Sequence, residues 1–352
     1  MSNPSVVLQK VGEIKFEERP IPKIQDDHYV KLAIKKTGIC GSDVHYYTHG
    51  SIGSFVVKNP MVLGHESSGV VVEIGKAVTR VQIGDRVAIE PGIPSRYSDE
   101  YKEGRYNLCP CMAFAATPPY DGTLARYYLA PEDFLVKLPD HMSFEEGALV
   151  EPLSVGVHAA KLANIRFNSK VAVFGAGPVG LLAAAVARAY GATQVVVIDI
   201  VDSKLQMAKN IGATHIYNSL QSGSGDFKTD IKALLGDLPN VVIECSGSEI
   251  GIRNGIDICH AGGHVVHVGM GKDDVNYPLA KVVEKELTVK GNFRYSHGDY
   301  IDAVALIASG KVDVLQIVSH RYEFKDAIAA FDNVVANGKD VVKTIIDGPA
   351  DE

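Results

Sequence analysis

The chain of 352 residues is about twice the length of a usual domain, which predicts two domains. With 46% apolar and 22% charged residues it has the composition of a globular protein with sizeable cores, and a net charge of −7 excludes an electrostatic attraction to nucleic acid or an anionic membrane. No run approaches the ~20 apolar residues of a membrane span, and residues 1–20 lack the basic-then-apolar order of a secretory signal.

The first ~150 residues are predicted to be β-rich. VKLAIK (30–35), GVVVEIG (69–75) and DRVAIE (85–90) alternate or carry β-branched residues, with Gly, Pro and Asp turn signals between them, as in a barrel or sandwich. GICGSDVHYY (38–47) is too polar for a core strand and too rich in glycine for a helix. It carries a lone thiol, Cys40, with Ser42 two residues on and His45 five residues on. VLGHESSG (62–69) then sets His65 and Glu66 in a glycine-flanked loop. Residues 91–123, with many Pro, Ser and Tyr, are expected to form a long lobe. LPDHMSFEEGALVEPLSVGVHAAKLA (138–163), which includes Glu151, turns helical.

From residue 170 the character changes. KVAVFGAGPVG (170–180) is an apolar strand running into glycines, and LLAAAVARAYGA (181–192) is a helix for which Gly191 is a plausible C-cap. QVVVIDI (194–200), NVVIEC (240–245), HVVHVG (264–269) and ELTVKG (286–291) are further strands, with a helix at KLQMAKNIGA (204–213). Continuous apolar strands alternating with helices predict a parallel sheet covered on both faces. VVKTIID (341–347) reads as a strand that either extends this second domain or, as preferred, rejoins the first.

Gly175, Gly177 and Gly180 form a G-x-G-x-x-G between a strand and a helix. There the first two glycines permit a tight turn and a close approach to a pyrophosphate, and the third permits close helix–strand packing. Asp199 closes the next strand 24 residues after Gly175, where a carboxylate accepts from ribose hydroxyls and repels a 2′-phosphate. IVDSKL (200–205) offers no arginine for that phosphate, and Lys204 is the nearest cation, so NAD is expected rather than NADP. A turn that binds nothing is the alternative. Val179, Val268, Gly269 and Met270 are expected to border the dinucleotide.

Thiolate, imidazole and carboxylate are all zinc ligands, and three protein ligands plus an open position make a catalytic site. Cys40, His65, Glu66 and Glu151 are the candidates. Taken singly, a cysteine is commonly a small buried hydrophobe and a loop histidine a surface or capping residue. The combination with a nucleotide domain is what favours a metal.

GICGSD, GHESSG, EPLSVG and GAGPVG together resemble the zinc-dependent medium-chain alcohol dehydrogenase superfamily, over essentially the whole chain. Residues 90–110 and 112–124 are similar to the lobe of its polyol dehydrogenase branch, as in yeast xylitol and sorbitol dehydrogenases. The resemblance implies an α/β fold: a GroES-like catalytic domain from 1–155 and 293–352, a doubly wound Rossmann domain over 156–292, and an active site in the cleft between them. It matches Cys40, His65 and Glu66 to catalytic zinc ligands. Glu151 falls where polyol enzymes contact zinc-bound water or substrate, and which of the two glutamates touches the metal stays open. Four-cysteine members hold a structural zinc at C-x-x-C-x-x-C-x7-C; here that spacing, read back from Cys109, gives Tyr101, Ser98 and Ser95, so no structural zinc is expected.

The implied reaction is reversible oxidation of xylitol or sorbitol at a secondary hydroxyl to D-xylulose or D-fructose, with zinc as Lewis acid and NAD as hydride acceptor. Ser42 and His45 match a proton relay; Glu66 or Glu151 provides another route. Tyr46, Glu151, Arg294 and Tyr295 fall at substrate-contacting positions, although NFRY (292–295) could instead be interface packing. A dehydrogenase for a simpler secondary alcohol or diol is the runner-up, and a non-catalytic nucleotide-binding or structural protein is the remote reading. The resemblance suggests a homotetramer. Five cysteines, an odd number with one close pair, point to a reducing compartment, the cytosol.

Overall fold

The computed structural model describes residues 2–221, 223 and 225–350, which form two compact units. The first comprises the described residues up to Glu151, Ser296–Ala308 and the described residues from Val318 onward; the second comprises Pro152–Tyr295 and Ser309–Ile317.

In the first unit, alternation decides the main sheet. Along Tyr29–Gly38, Val30, Leu32 and Ile34 are buried while Lys31, Ala33 and Lys35 are half-buried, the period-two pattern of a strand with one face on a core. Val71, Val87 and Ile89 complete that core, each worth about 1.5–3 kcal/mol on full burial. The sheet has seven strands, in the order Leu135–Lys137, Arg86–Ile89, Glu66–Ile74, Tyr29–Gly38, Lys343–Asp347 and Val318–Tyr322, with Tyr127–Pro131 also paired to Tyr29–Gly38. The C-terminal strand Lys343–Asp347 therefore lies antiparallel to Tyr29–Gly38, the arrangement preferred from sequence over an extension of the second domain. Register aligns Gly38 with Glu66 on one side and with Ile345 on the other.

The second unit holds six parallel strands in the order His215–Asn218, Gln194–Asp199, Lys170–Phe174, Val241–Glu244, His264–His267 and Thr288–Gly291. This is the doubly wound order, with the strand direction of travel reversing at Lys170–Phe174. The middle strands are buried on both faces, which explains their unbroken Val and Ile runs. His215–Asn218 went unread in the sequence because HIYN carries neither alternation nor a β-branched run. Residues 309–317, expected in the first domain, lie with the second unit, where Val314–Ile317 packs against helices Pro178–Ala189 and Asp202–Asn210.

One local expectation fails. Residues 41–49, read as too rich in glycine for a helix, are the helix Gly41–His49. The glycines fall outside its interior: Gly38 ends a strand, Gly41 occupies the first position, and Gly50 supplies the left-handed cap at φ 76°. The Asp43 carboxylate reaches back to the Cys40 N–H, which secures the first turn. No helix among the described residues is long and apolar enough to cross a membrane.

Candidate metal and cofactor sites

Cys40 ends the segment after strand Tyr29–Gly38 as the N-cap of helix Gly41–His49, while Glu66 opens the neighbouring strand and His65 precedes it. Pairing of these two strands brings the three side chains together, with donor atoms all within 4.8 Å of one another. Zinc bonds of about 2.0–2.3 Å then need only small side-chain shifts to reach all three. His65 and Glu66 are buried and Cys40 is half-buried. Glycine at 38 leaves room for the Glu66 carboxylate, since a Cβ there would sit 2.1 Å from Glu66 Oε2 and displace it.

Two residues that the sequence reading did not single out hold this set. Asp43, fully buried, accepts from the Cys40 N–H at 3.1 Å and the Gly64 N–H at 3.0 Å, so one carboxylate fixes both ligand-bearing segments. It also faces His65 Nδ1 at 3.7 Å, an ion-pair distance; Nδ1 has no hydrogen-bond partner among the described residues. With Nδ1 turned to Asp43, Nε2 is the ring nitrogen left for a metal. Burial opposes an imidazolium at His65, but the charges of Asp43 and Cys40 outweigh it and raise the His65 pKa well above its ordinary value. A buried imidazole grouped with a thiol and a carboxylate is a donor set suited to zinc.

The second is Lys343, from the C-terminal strand. Its Nζ donates to both Glu66 oxygens at 2.7 Å and to the Ile39 carbonyl at 3.1 Å. Burial disfavours its charge, yet Glu66, Cys40 and Glu151 raise its pKa. The signal was a lysine inside the apolar run VVKTII, a placement that a buried strand tolerates only when the charge is paired. For Asp43 the signal was a carboxylate three residues after the N-cap, discounted along with the helix.

Glu151 is buried near the start of helix Val150–Leu162, outside the group of mutually close donors. Ser42 and His45 lie three residues apart on helix Gly41–His49, Ser42 half-buried and His45 exposed. Tyr46 is only 2% exposed and belongs to the apolar core with Leu8, Leu63 and Phe331. In the second unit, Tyr295 is buried and Arg294, at φ 57°, lays its guanidinium 4.8 Å from the Phe293 ring centre.

The glycine turn sits at the reversal point of the parallel sheet. Gly175 has φ 92°, and a Cβ on Gly180 would stand 1.9 Å from the Gly175 oxygen, so neither position accepts a side chain. A Cβ on Gly177 would meet nothing within 4 Å, which leaves open space at the N-terminus of helix Pro178–Ala189. No side chain caps that helix, and the free N–H groups of a helix N-terminus are suited to an anion. Asp199 ends the next strand. One of its oxygens accepts from Ala176 N at 2.6 Å; the other accepts from Ile200 N and Val201 N at 2.7 and 2.9 Å. The oxygen that accepts only from Ala176 N keeps a lone pair for a ribose hydroxyl. Lys204 is half-buried on helix Asp202–Asn210, and Val179 lies in the first turn of Pro178–Ala189. The Val268 and Gly269 N–H groups donate to the Glu244 carbonyl, beside an exposed Met270. These residues fit a dinucleotide.

In the lobe, Ser98 caps the short helix Asp99–Lys102 and Cys109 Sγ accepts from Ser95 N at 3.3 Å. Arg96 pairs with Asp133 at 2.6 Å, and the Tyr106 hydroxyl donates to Glu90, whose pKa burial pushes up to about 8. Of the four positions at the structural-zinc spacing, the Ser98 hydroxyl and the Cys109 sulfur accept backbone hydrogen bonds inside the lobe.

Residues 26–140 match the family model described as an alcohol dehydrogenase GroES-like domain, and residues 178–309 match that of a zinc-binding dehydrogenase. Sorbitol dehydrogenase 1 of Saccharomyces cerevisiae is 62% identical, with 99% of each chain covered. D-xylulose reductase of Scheffersomyces stipitis is 55% identical, again over 99% of each. Among solved structures, 2R,3R-butanediol dehydrogenase of Bacillus subtilis superposes with a TM-score of 0.90 at 30% identity, covering 99% of this chain and 100% of that one.

Proposed function

The chain belongs to the zinc-binding dehydrogenases with an alcohol dehydrogenase GroES-like domain, and from that membership we propose that it oxidises xylitol or sorbitol at a secondary hydroxyl to D-xylulose or D-fructose, with reversible hydride transfer to NAD. The observation that carries the reading is the convergence of Cys40, His65 and Glu66 in a chain more than half identical to polyol enzymes over its full length. The diol reading is weaker, since the butanediol enzyme is only 30% identical.

Cys40, His65 and Glu66 would hold one zinc, with Asp43 orienting the imidazole. When bound, zinc supplies a Lewis acid that acidifies the substrate hydroxyl, and NAD supplies the hydride acceptor. Ser42 and His45 then carry the hydroxyl proton outward, a direction supported by the step from half-buried to exposed along one helix face. Both Glu66 oxygens already accept from Lys343, which makes Glu151 the carboxylate for the second proton route and for contact with substrate. Arg294 and Tyr295 pair the remaining hydroxyls in this reading, while Tyr46 stays with the apolar core. Unpaired buried polar groups are what would penalise a substrate lacking those hydroxyls. Gly175, Gly177, Val179 and Gly180 cradle the pyrophosphate, Asp199 and Lys204 the ribose, and Val268, Gly269 and Met270 the nicotinamide side. A homotetramer in the cytosol belongs to the same proposal, supported by the resemblance and by five unbridged cysteines.

The test is a substrate panel. kcat/KM with NAD should be highest for xylitol or D-sorbitol and far lower for ethanol and 2,3-butanediol; a preference for either simple alcohol would refute the polyol assignment. Metal analysis should find about one zinc per chain, because Ser95, Ser98 and Tyr101 offer no thiolate beside Cys109. A stoichiometry near two would overturn the zinc-free lobe.

A further inference from the structure

The ammonium of Lys343 has three protons and three acceptors: Glu66 Oε1, Glu66 Oε2 and the Ile39 carbonyl. Lys343 is 2% exposed and Glu66 1%, so no bulk water competes for either partner. The lysine is brought there by a strand some 277 residues away in sequence, paired beside the one that ends at Gly38. Backbone bonds fix its position: Ile39 N donates to the Thr344 carbonyl at 2.9 Å, and Ser319 Oγ to the Lys343 carbonyl at 3.1 Å.

The consequence for the third metal ligand is physical. A carboxylate whose two oxygens are both held by one cation donates less charge to a second cation. The Lys343 charge is also felt at Cys40, but the lysine's hydrogen bonds to side chains go to the two Glu66 oxygens, so the three donors are unequal. Removing the lysine charge would leave Glu66 buried with the metal as its remaining positive partner, and the two would bind more strongly.

We propose that Lys343 is a positioning residue of the metal centre, which holds Glu66 as a weak, exchangeable donor and so keeps the bound metal electrophilic. The inference rests on the zinc-site reading above. It makes the unusual demand that loss of Lys343 should tighten metal binding and slow turnover together. A merely structural lysine would, on removal, loosen the metal and destabilise the fold.

The experiment follows zinc release from the holoenzyme to a chromogenic chelator, alongside kcat for xylitol at saturating NAD. In Lys343→Met, zinc release should slow by about 10–100-fold, the range over which outer-shell partners shift metal affinity. kcat should fall at least about tenfold, by the same weakening of the Lewis acid. Lys343→Arg, which keeps the charge, should restore both towards wild type. Release as fast as wild type or faster in Lys343→Met would overturn the proposal. The pair Glu66→Gln/Lys343→Met leaves no buried charge unpaired and serves where the single variant does not fold. It should release zinc no more slowly than wild type, and slower release would show that Lys343 does not act through Glu66. Wild-type protein that holds no zinc would sink the metal-site reading instead, a distinguishable failure.

Discussion

Replacing Cys40 by serine is expected to empty the metal site and to lower kcat/KM for xylitol by about 10³-fold or more. A hydroxyl is a poor zinc ligand at neutral pH, and only His65 and a Glu66 already held by Lys343 would remain. Metal activation is worth several kcal/mol of transition-state stabilisation, and each ~1.4 kcal/mol is tenfold in rate. The sulfur packs little, being half-buried at a helix end, so thermal stability should change far less than activity. NADH binding should survive, since the glycine turn lies in the other unit. Zinc content, melting temperature and NADH fluorescence read these effects separately. A variant that keeps its zinc and its activity would remove Cys40 from the metal centre.

Asp199→Ala should cost NAD about 10²-fold in kcat/KM while leaving NADP nearly unchanged or improved. A hydrogen bond to a charged acceptor is worth about 1.5–3 kcal/mol, and Asp199 keeps one lone pair for the ribose hydroxyls. The 2′-phosphate of NADP gains from losing the carboxylate. The structure supplies the competing outcome: Asp199 also accepts from Ala176 N inside the glycine turn. Equal losses for both cofactors would mean that the carboxylate shapes the turn rather than selecting the ribose.

Much of the fold was readable because its signals are local. Val30, Leu32 and Ile34 announce a one-sided strand by alternation, and Val195 to Ile198 a two-sided one by an unbroken run. Gly175 and Gly180 announce a turn that no side chain fits, and their spacing survives any packing. The helix at 41–49 was lost because glycine content was weighed without position; Gly38 precedes it, Gly41 is its first residue and Gly50 its cap, places where glycine costs little. Tyr46 shows the converse limit, since a residue beside the ligands in sequence is a member of the apolar core.

By itself the sequence determined which donors exist and which backbone turns are possible, because thiol, imidazole, carboxylate and a side-chain-free Cα are properties of single residues. The tertiary structure alone decided who stands next to whom: strand register set Glu66 beside Gly38, and the returning C-terminal strand set Lys343 against Glu66. Lys343 and Glu66 lie 277 residues apart along the chain. Their mutual charge is felt only where pairing and burial remove the water between them.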